Sequence, residues 1–264
     1  MNSEQRLSNI AAQVDELQSA VHLASAGSLP FAYEAGGGKW LERAISRVGL
    51  PPTDRNQDLF YSFFREMCGS GPSELRALQY PAYLSHLPPP GTLPYVDLGA
   101  GDGDFILYLA SHGYPTVGVD TNPTEVEKGR VRGANMVQAD ALEYLQGCPS
   151  GSLDGVFMLQ VVEHLEPEIM RRILKATVTA LNSGGKVIIE TINLRHPLAF
   201  QGFYTDPTHT RPVADDYLEF LLEWDGLTDL HKILTVPVSP DGPGPFVGDE
   251  SRVYYNYAVI ATKP

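Results

Sequence analysis

The segment Tyr95-Val96-Asp97-Leu98-Gly99-Ala100-Gly101-Asp102-Gly103-Asp104 restricts the possible folds more than any other. A short apolar strand, YVDLG (95–99), passes into alternating glycines and then into FILYLASHG (105–113), a helical stretch stopped by Gly113. Glycine lets the backbone turn tightly and approach a ligand where a Cβ would clash. Strand, glycine turn and helix in that order suit an open α/β sheet whose ligand sits at the carboxyl end of the strand. A dinucleotide site reads G-x-G-x-x-G, but Asp104 holds the place of the third glycine. A carboxylate there repels a pyrophosphate. A zwitterion carrying a sulfonium and an ammonium is the better guest, and Asp97 is a candidate to hold its cationic end.

The alternation continues downstream. TVGVD (116–120), MVQAD (136–140), DGVFMLQ (154–160) and KVIIET (186–191) read as strands with helices between them. One of those helices covers 166–182 and ends at Asn182-Ser183-Gly184-Gly185. This pattern predicts a parallel sheet with helices on both faces. KILTVPV (232–238) and YYNYAVIATK (254–263) flank a Gly/Pro-rich loop, as an antiparallel edge hairpin would. The expected fold class is α/β: a Rossmann-like, seven-stranded, mostly parallel sheet with an antiparallel C-terminal hairpin, preceded by an N-terminal helical segment.

Upstream, helical stretches lie near 39–49, 56–68 and 72–86, the last ending before Pro88-Pro89-Pro90. Residues 1–90 therefore read as a helical segment serving oligomerisation or as a lid, and 91–264 as the α/β domain. Within 4–25, Leu7, Ile10, Val14, Leu17 and Val21 recur at the spacing of a coiled-coil seam. A helix docking on its own domain and a helix pairing with a second copy fit that seam equally.

Hydrophobic residues make up 43% and charged residues 19%, enough apolar material to bury a core. The net charge of −13 argues against nucleic acid as a partner, because an acidic surface repels phosphate backbones. Cys68 and Cys148 form neither a disulfide framework nor a metal-type spacing. No apolar run approaches the ~20 residues of a membrane span. The start MNSEQRLSNIAAQ lacks the basic-then-apolar pattern of a signal peptide, so a cytoplasmic location is expected.

Asp120 closes the second strand, where an acid suits a bidentate grip on ribose hydroxyls. Asp140 closes the third, where a carboxylate can accept from an adenine amino group. Singly, such acids are ordinary turn residues; in register behind a glycine loop they form a constellation. The run VDLGAGDG, then GVD, then QAD, then GSLDGVFMLQVVEHL resembles the class I S-adenosylmethionine (SAM)-dependent methyltransferases over about residues 94–191. The resemblance implies SAM as cofactor, with Asp97, Gly99, Gly101 and Gly103 at its methionine moiety and Asp120 on its ribose. It further implies Asp140 with Ala141 at the adenine, and Gln160 where the fourth strand meets the cofactor.

SAM carries its own leaving group, so transfer needs alignment above all; a hydroxyl acceptor also needs a base or a metal. His164, following the fourth strand at the carboxyl edge of the sheet, is a candidate base, and its neighbour Glu163 a further catalytic candidate. A His-Leu pair packed under the loop explains His164 equally well. Beyond the fifth strand, Asn193, Arg195 and His196 precede Phe203-Tyr204-Thr205-Asp206-Pro207-Thr208-His209-Thr210-Arg211-Pro212, a wall suited to a polar acceptor. Tyr204 offers a stacking face for a sugar ring. His209 is a second base candidate, oriented by Asp206, or else a loop histidine bonded to backbone. Glu163, His164, Glu190 and His209 are the residues that would converge on a divalent ion, although no spacing forces one.

The element E-T-x-N (190–193), followed by F-Y-x-D-P-T-H-x-R-P (203–212), is similar to a narrower group over about residues 60–228. That group is the methyltransferases of bacterial surface-polysaccharide assembly, including O-antigen chain-terminating enzymes. It implies O-methylation of a sugar or glycan chain and self-association through helical segments. The chain departs from the group's E-T-P-N-P at Ile192 and Leu194, and from its Phe-Arg-Gly at Met67-Cys68-Gly69. The group's arginine contact to the SAM carboxylate thus has no counterpart at its usual place; Arg65 lies upstream. Other readings are a methyltransferase of a small lipid, quinone or natural product, and a SAM-binding scaffold without turnover.

Overall fold

The computed structural model describes residues 57–65, 73–237 and 254–264. The seam at 4–25, the helical stretch near 39–49, the Met67-Cys68-Gly69 segment and residues 238–253 lie outside them. The chain runs α1 (Gln57–Phe64), α2 (Ser73–Leu84), β1 (Tyr95–Leu98), α3 (Asp104–Ser111), β2 (Thr116–Asp120), α4 (Pro123–Val131) and β3 (Met136–Gln138). It continues through α5 (Ala141–Gly147), β4 (Leu153–Leu159), a 3₁₀ turn (Val162–His164), α6 (Pro167–Ala180) and β5 (Leu181–Ile192). The last elements are α7 (Pro197–Phe203), α8 (Asp215–Trp224), β6 (Thr228–Pro237) and β7 (Tyr254–Thr262).

The strands form one seven-stranded sheet in the order β3-β2-β1-β4-β5-β7-β6. β1 to β5 pair in parallel, while β7 pairs antiparallel with both β5 and β6. This is the α/β architecture expected from the strand–helix alternation, C-terminal antiparallel pair included. Side chains alternate across a pleated strand, and the central strands use both faces. Val96, Leu98, Val156, Met158, Val187 and Ile189 pack with α6 and α8 on one face. Tyr95, Phe157 and Ile188 pack with Tyr83, Phe105 and Leu109 on the other. Tyr83 of α2 is fully buried and meets the Phe105 ring edge-on at 5.8 Å.

Two elements differ from the sequence reading. β5 begins at Leu181, which is buried and pairs with Leu153 ahead of a register shift. The Asn182–Gly185 turn therefore lies inside the strand, with Gly184 at φ 81°. The amphipathic helix α8, burying Leu218, Leu221 and Leu222, follows the polar 203–212 segment and was not singled out in sequence. No helix among the described residues is long and apolar enough to cross a membrane.

Candidate active site

β1 delivers the chain to Gly99, Gly101 and Gly103, whose φ angles are 73°, 56° and 74°. That left-handed region suits glycine, and a side chain would also press on close neighbours. A Cβ on Gly99 would lie 2.5 Å from Val161 Cγ2, and one on Gly101 would run into the Arg65 guanidinium. Asp120, ending β2, holds the turn: its Oδ2 accepts the Gly101 N–H at 2.8 Å and its Oδ1 the Asn122 N–H at 2.8 Å. Asp104, the departure from the dinucleotide pattern, pairs with Arg132. The turn forms one wall of a cavity of about 310 Å³ at the carboxyl edge of the sheet.

α1 and α4 supply a charged bracket beside the turn. Arg65 Nη1 donates to Glu125 Oε2 at 2.8 Å, and its Nη2 lies 3.7 Å from Asp102 Oδ1. Glu125 Oε1 accepts from Ser62 Oγ at 2.6 Å and from Lys128 Nζ at 2.7 Å. Burial alone would raise the Glu125 carboxyl, but Arg65 and the bonds from Lys128 and Ser62 bring it below its ordinary value.

Asp97 lines the cavity at 3% exposure, and its Oδ1 has no hydrogen-bond partner. Burial, then the Asp120 charge, push its carboxyl well above the ordinary range, against the pull of Arg65. Burial also raises Asp120, opposed by the two N–H donors. A buried acceptor without a donor suits an ammonium, since burying a polar group unpaired costs free energy. The glycine cradle, the lone Asp97 oxygen and the strand-end Asp120 therefore fit the zwitterion anticipated from sequence.

Gln160, closing β4, adopts φ 58°, an uncommon conformation for a residue with a side chain. Its backbone N–H donates to the Glu190 carbonyl at 2.9 Å and its amide Nε2 to Glu190 Oε1 at 3.0 Å. The Glu190 carboxyl is fully buried, and burial raises its pKa against several hydrogen bonds. It accepts from Gln79 Nε2 at 2.5 Å, Asn256 Nδ2 at 3.2 Å, and the hydroxyls of Tyr83 and Thr235. Glu190 thus ties α2, β6 and β7 together beneath the cavity. It stays out of the convergence with Glu163, His164 and His209 that the sequence allowed.

Those other three do converge. One ligand atom from each lies within 4.8 Å of the others. The Thr210 N–H donates to the Glu163 carbonyl at 2.8 Å, stapling the 203–212 segment to the 3₁₀ turn. The two imidazole centroids are 4.5 Å apart. His209 Nδ1 lies 2.6 Å from the Phe203 carbonyl oxygen, which can only accept, so that nitrogen carries the proton. His164 Nδ1 lies 2.9 Å from Thr208 Oγ1, whose own proton goes to Asp206 Oδ1 at 2.6 Å. By this network the His164 Nδ1 also donates. Burial, then His209, lower the His164 pKa to about 4, against Asp206. Glu163 is fully buried; Oε2 accepts from Thr191 Oγ1 at 2.9 Å, and Oε1 has no partner. Burial pushes its carboxyl up to about 8.

The remaining sequence candidates are more scattered. Asp140 is exposed and caps α5, accepting from the Leu142 and Glu143 N–H groups at 2.8 and 3.1 Å. Neither Asp140 nor Ala141 is among the residues lining the cavity, and Ala141 packs against the core. Gly103 opens α3 outside the lining, where a Cβ would press on Ala134 and Met136. His196 Nδ1 accepts the Ala199 N–H at 3.1 Å, and burial lowers its pKa to about 4. Tyr204 is 69% exposed beside Phe200 and does not line the cavity. Tyr61, Asn122 and Glu125 do line it, though sequence reasoning gave none of them a role there, and so does Arg65, which the sequence places upstream of the expected arginine.

Residues 96–189 match a family model described as "Methyltransferase domain". No curated protein matches the chain in sequence. Among solved structures, a SAM-dependent methyltransferase from Archaeoglobus fulgidus is 27% identical, with 77% of this chain and 100% of that one covered at a TM-score of 0.65. A SAM-dependent methyltransferase from Thermotoga maritima, described as a possible histamine N-methyltransferase, is 16% identical, covering 84% and 99% at a TM-score of 0.57. The geranyl diphosphate C-methyltransferase of Streptomyces coelicolor A3(2), solved with Mg²⁺, geranyl diphosphate and S-adenosylhomocysteine, is 13% identical, covering 80% and 86% at 0.57. These last two share the fold. The sheet order, the glycine cradle and the match over residues 96–189 together support a SAM-dependent methyltransferase. SAM is its cofactor.

Proposed function

We propose that this methyltransferase acts on a hydroxyl oxygen of a sugar or glycan chain. The observation that supports this reading is the pair His164 and His209 lining the SAM cavity, with Glu163 packed behind them. A hydroxyl is a poor nucleophile that must shed its proton, and this cluster is equipped to assist, whereas an amine needs little help. The F-Y-x-D-P-T-H-x-R-P element, which carries His209 to this position, supports a sugar acceptor by its resemblance to polysaccharide methyltransferases.

SAM, when bound, supplies an electrophilic methyl group on a sulfonium. Asp97 receives the ammonium and Asp120 the ribose hydroxyls, while Gly99 and Gly101 keep the wall close. Thr208 and the Phe203 carbonyl hold the Nδ1 protons of the two histidines, so that each Nε2 lone pair serves the acceptor side. Changing Ile10 and Leu17 together to Lys tests self-association through the 4–25 segment: a lower mass in light scattering supports it, and an unchanged mass favours that segment docking on its own domain.

Incubation of the enzyme with methyl-labelled SAM and a mixed pool of glycans, quinols and lipids tests the acceptor. Mass spectrometry locating the label on a sugar oxygen agrees with the proposal. Label only on a lipid or quinone overturns it, and SAM binding without transfer to any acceptor favours a scaffold.

A further inference from the structure

We propose that Glu163, His164 and His209 form a binding site for a divalent transition-metal cation. This rests on reading the same cluster as the group that activates the acceptor, and it states how the activation occurs.

The geometry is that of a ligand set. Among the described residues these three are the group whose ligand atoms converge, all within 4.8 Å of one another. A cation held by nitrogen and oxygen at about 2.0–2.2 Å brings its ligand atoms to roughly 3–3.5 Å apart, so a modest closure completes the site. Both Nδ1 protons are committed elsewhere, one to the Phe203 carbonyl and one to Thr208 backed by Asp206. Metal-ligating histidines are oriented in this way, by a carbonyl or carboxylate behind the far nitrogen. With Nδ1 committed, Nε2 is the nitrogen each ring has left for a cation, and two such nitrogens are one more than a single proton acceptor requires.

Glu163 is the independent observation. It is fully buried, and its Oε1 has no hydrogen-bond partner. The charges that act on it are two more acids, Glu190 and Asp206. A buried carboxylate is stabilised by a paired charge or a metal. Two imidazoles and a carboxylate favour Mn²⁺, Co²⁺, Ni²⁺ or Zn²⁺, whereas Mg²⁺ and Ca²⁺ prefer all-oxygen shells. A cation there, bordering the SAM cavity, would bind the acceptor hydroxyl through its oxygen and ease loss of the proton to solvent, in place of transfer to a histidine.

The full-length protein is stripped by dialysis against chelator and titrated with Mn²⁺ and Zn²⁺ by calorimetry, with paramagnetic resonance on the Mn²⁺ form. The expected result is saturable binding that weakens at least about tenfold in Glu163→Gln, His164→Ala and His209→Ala, with affinity for S-adenosylhomocysteine retained as proof of folding. Thr208→Val, which removes a support and no ligand, weakens it less. Absence of saturable Mn²⁺ or Zn²⁺ binding overturns the proposal, as does binding unchanged in His209→Ala. If no cation binds yet the histidine variants lose turnover, the metal is wrong and proton transfer to histidine stands. If a cation binds but stripped enzyme methylates normally, the site is real and its role in activation fails.

Discussion

Replacing Asp120 by alanine removes two acceptors, one holding the glycine turn through Gly101 and one holding the loop after β2 through Asn122. Each joins a backbone N–H to a carboxylate oxygen at 2.8 Å. Bonds of this charge-assisted kind contribute roughly 1.5–3 kcal/mol each. Both are partly buried, so water can re-satisfy the freed N–H groups in part, and about 1–3 kcal/mol of loop stability should be lost. The proposed ribose contacts disappear as well, at roughly 1.5–3 kcal/mol for each charge-assisted bond. Since about 1.4 kcal/mol is a tenfold change in Kd, S-adenosylhomocysteine should bind more than about tenfold more weakly. Calorimetric titration measures this directly, and a melting curve checks that the variant is folded. Asp120→Asn retains one acceptor oxygen but points an NH₂ group at a donor, so it should fall between wild type and alanine. A folded Asp120→Ala protein with affinity within about twofold of wild type would refute both the ribose assignment and the importance of the held turn.

Burial raises the Asp97 and Asp120 carboxyls, so stability from their protonated forms is present at low pH and lost as pH climbs through the raised values. A cationic cofactor favours their ionised forms, so SAM affinity should strengthen as pH rises above the ordinary carboxylate range, with protons released; a pH-independent Kd contradicts this. Glu190→Ala should lower stability by about 3 kcal/mol or more, read by chemical denaturation, because it strands the donors of Gln79, Tyr83 and Thr235. His164→Ala and His209→Ala should keep SAM affinity within a few-fold, while at least one loses on the order of 10²–10⁴-fold in turnover. Near-normal transfer in both removes the histidines from the chemistry.

Much of the fold could be read because its signals are local. β1 and β4 are apolar runs whose alternate residues feed opposite core clusters, and glycine at 99, 101 and 103 is a backbone requirement visible residue by residue. Asp97, two residues ahead of the glycine loop, and Asp120, the last residue of β2, are legible because parallel strands bring their carboxyl ends to one edge. Asp140 gave the same local signal, yet its carboxylate caps α5 and lies outside the cavity wall. A strand-end acid that also precedes a helix has two possible partners, and spacing does not choose between them.

What the sequence determined by itself was the order of elements and the chemistry of the loop, because both follow from short-range sterics and hydrophobic period. Only the tertiary structure decided which distant groups meet. Arg65 and Ser62 reach Glu125 from another helix, Gln79 and Tyr83 reach Glu190 across the sheet, and His209 is carried onto His164 by a segment stapled through Thr210. Such meetings depend on how helices pack over a twisted sheet, and no residue's immediate neighbours encode them. The same packing leaves one Glu163 oxygen buried without a partner, a property of the folded surroundings that no reading of the chain as a string can supply.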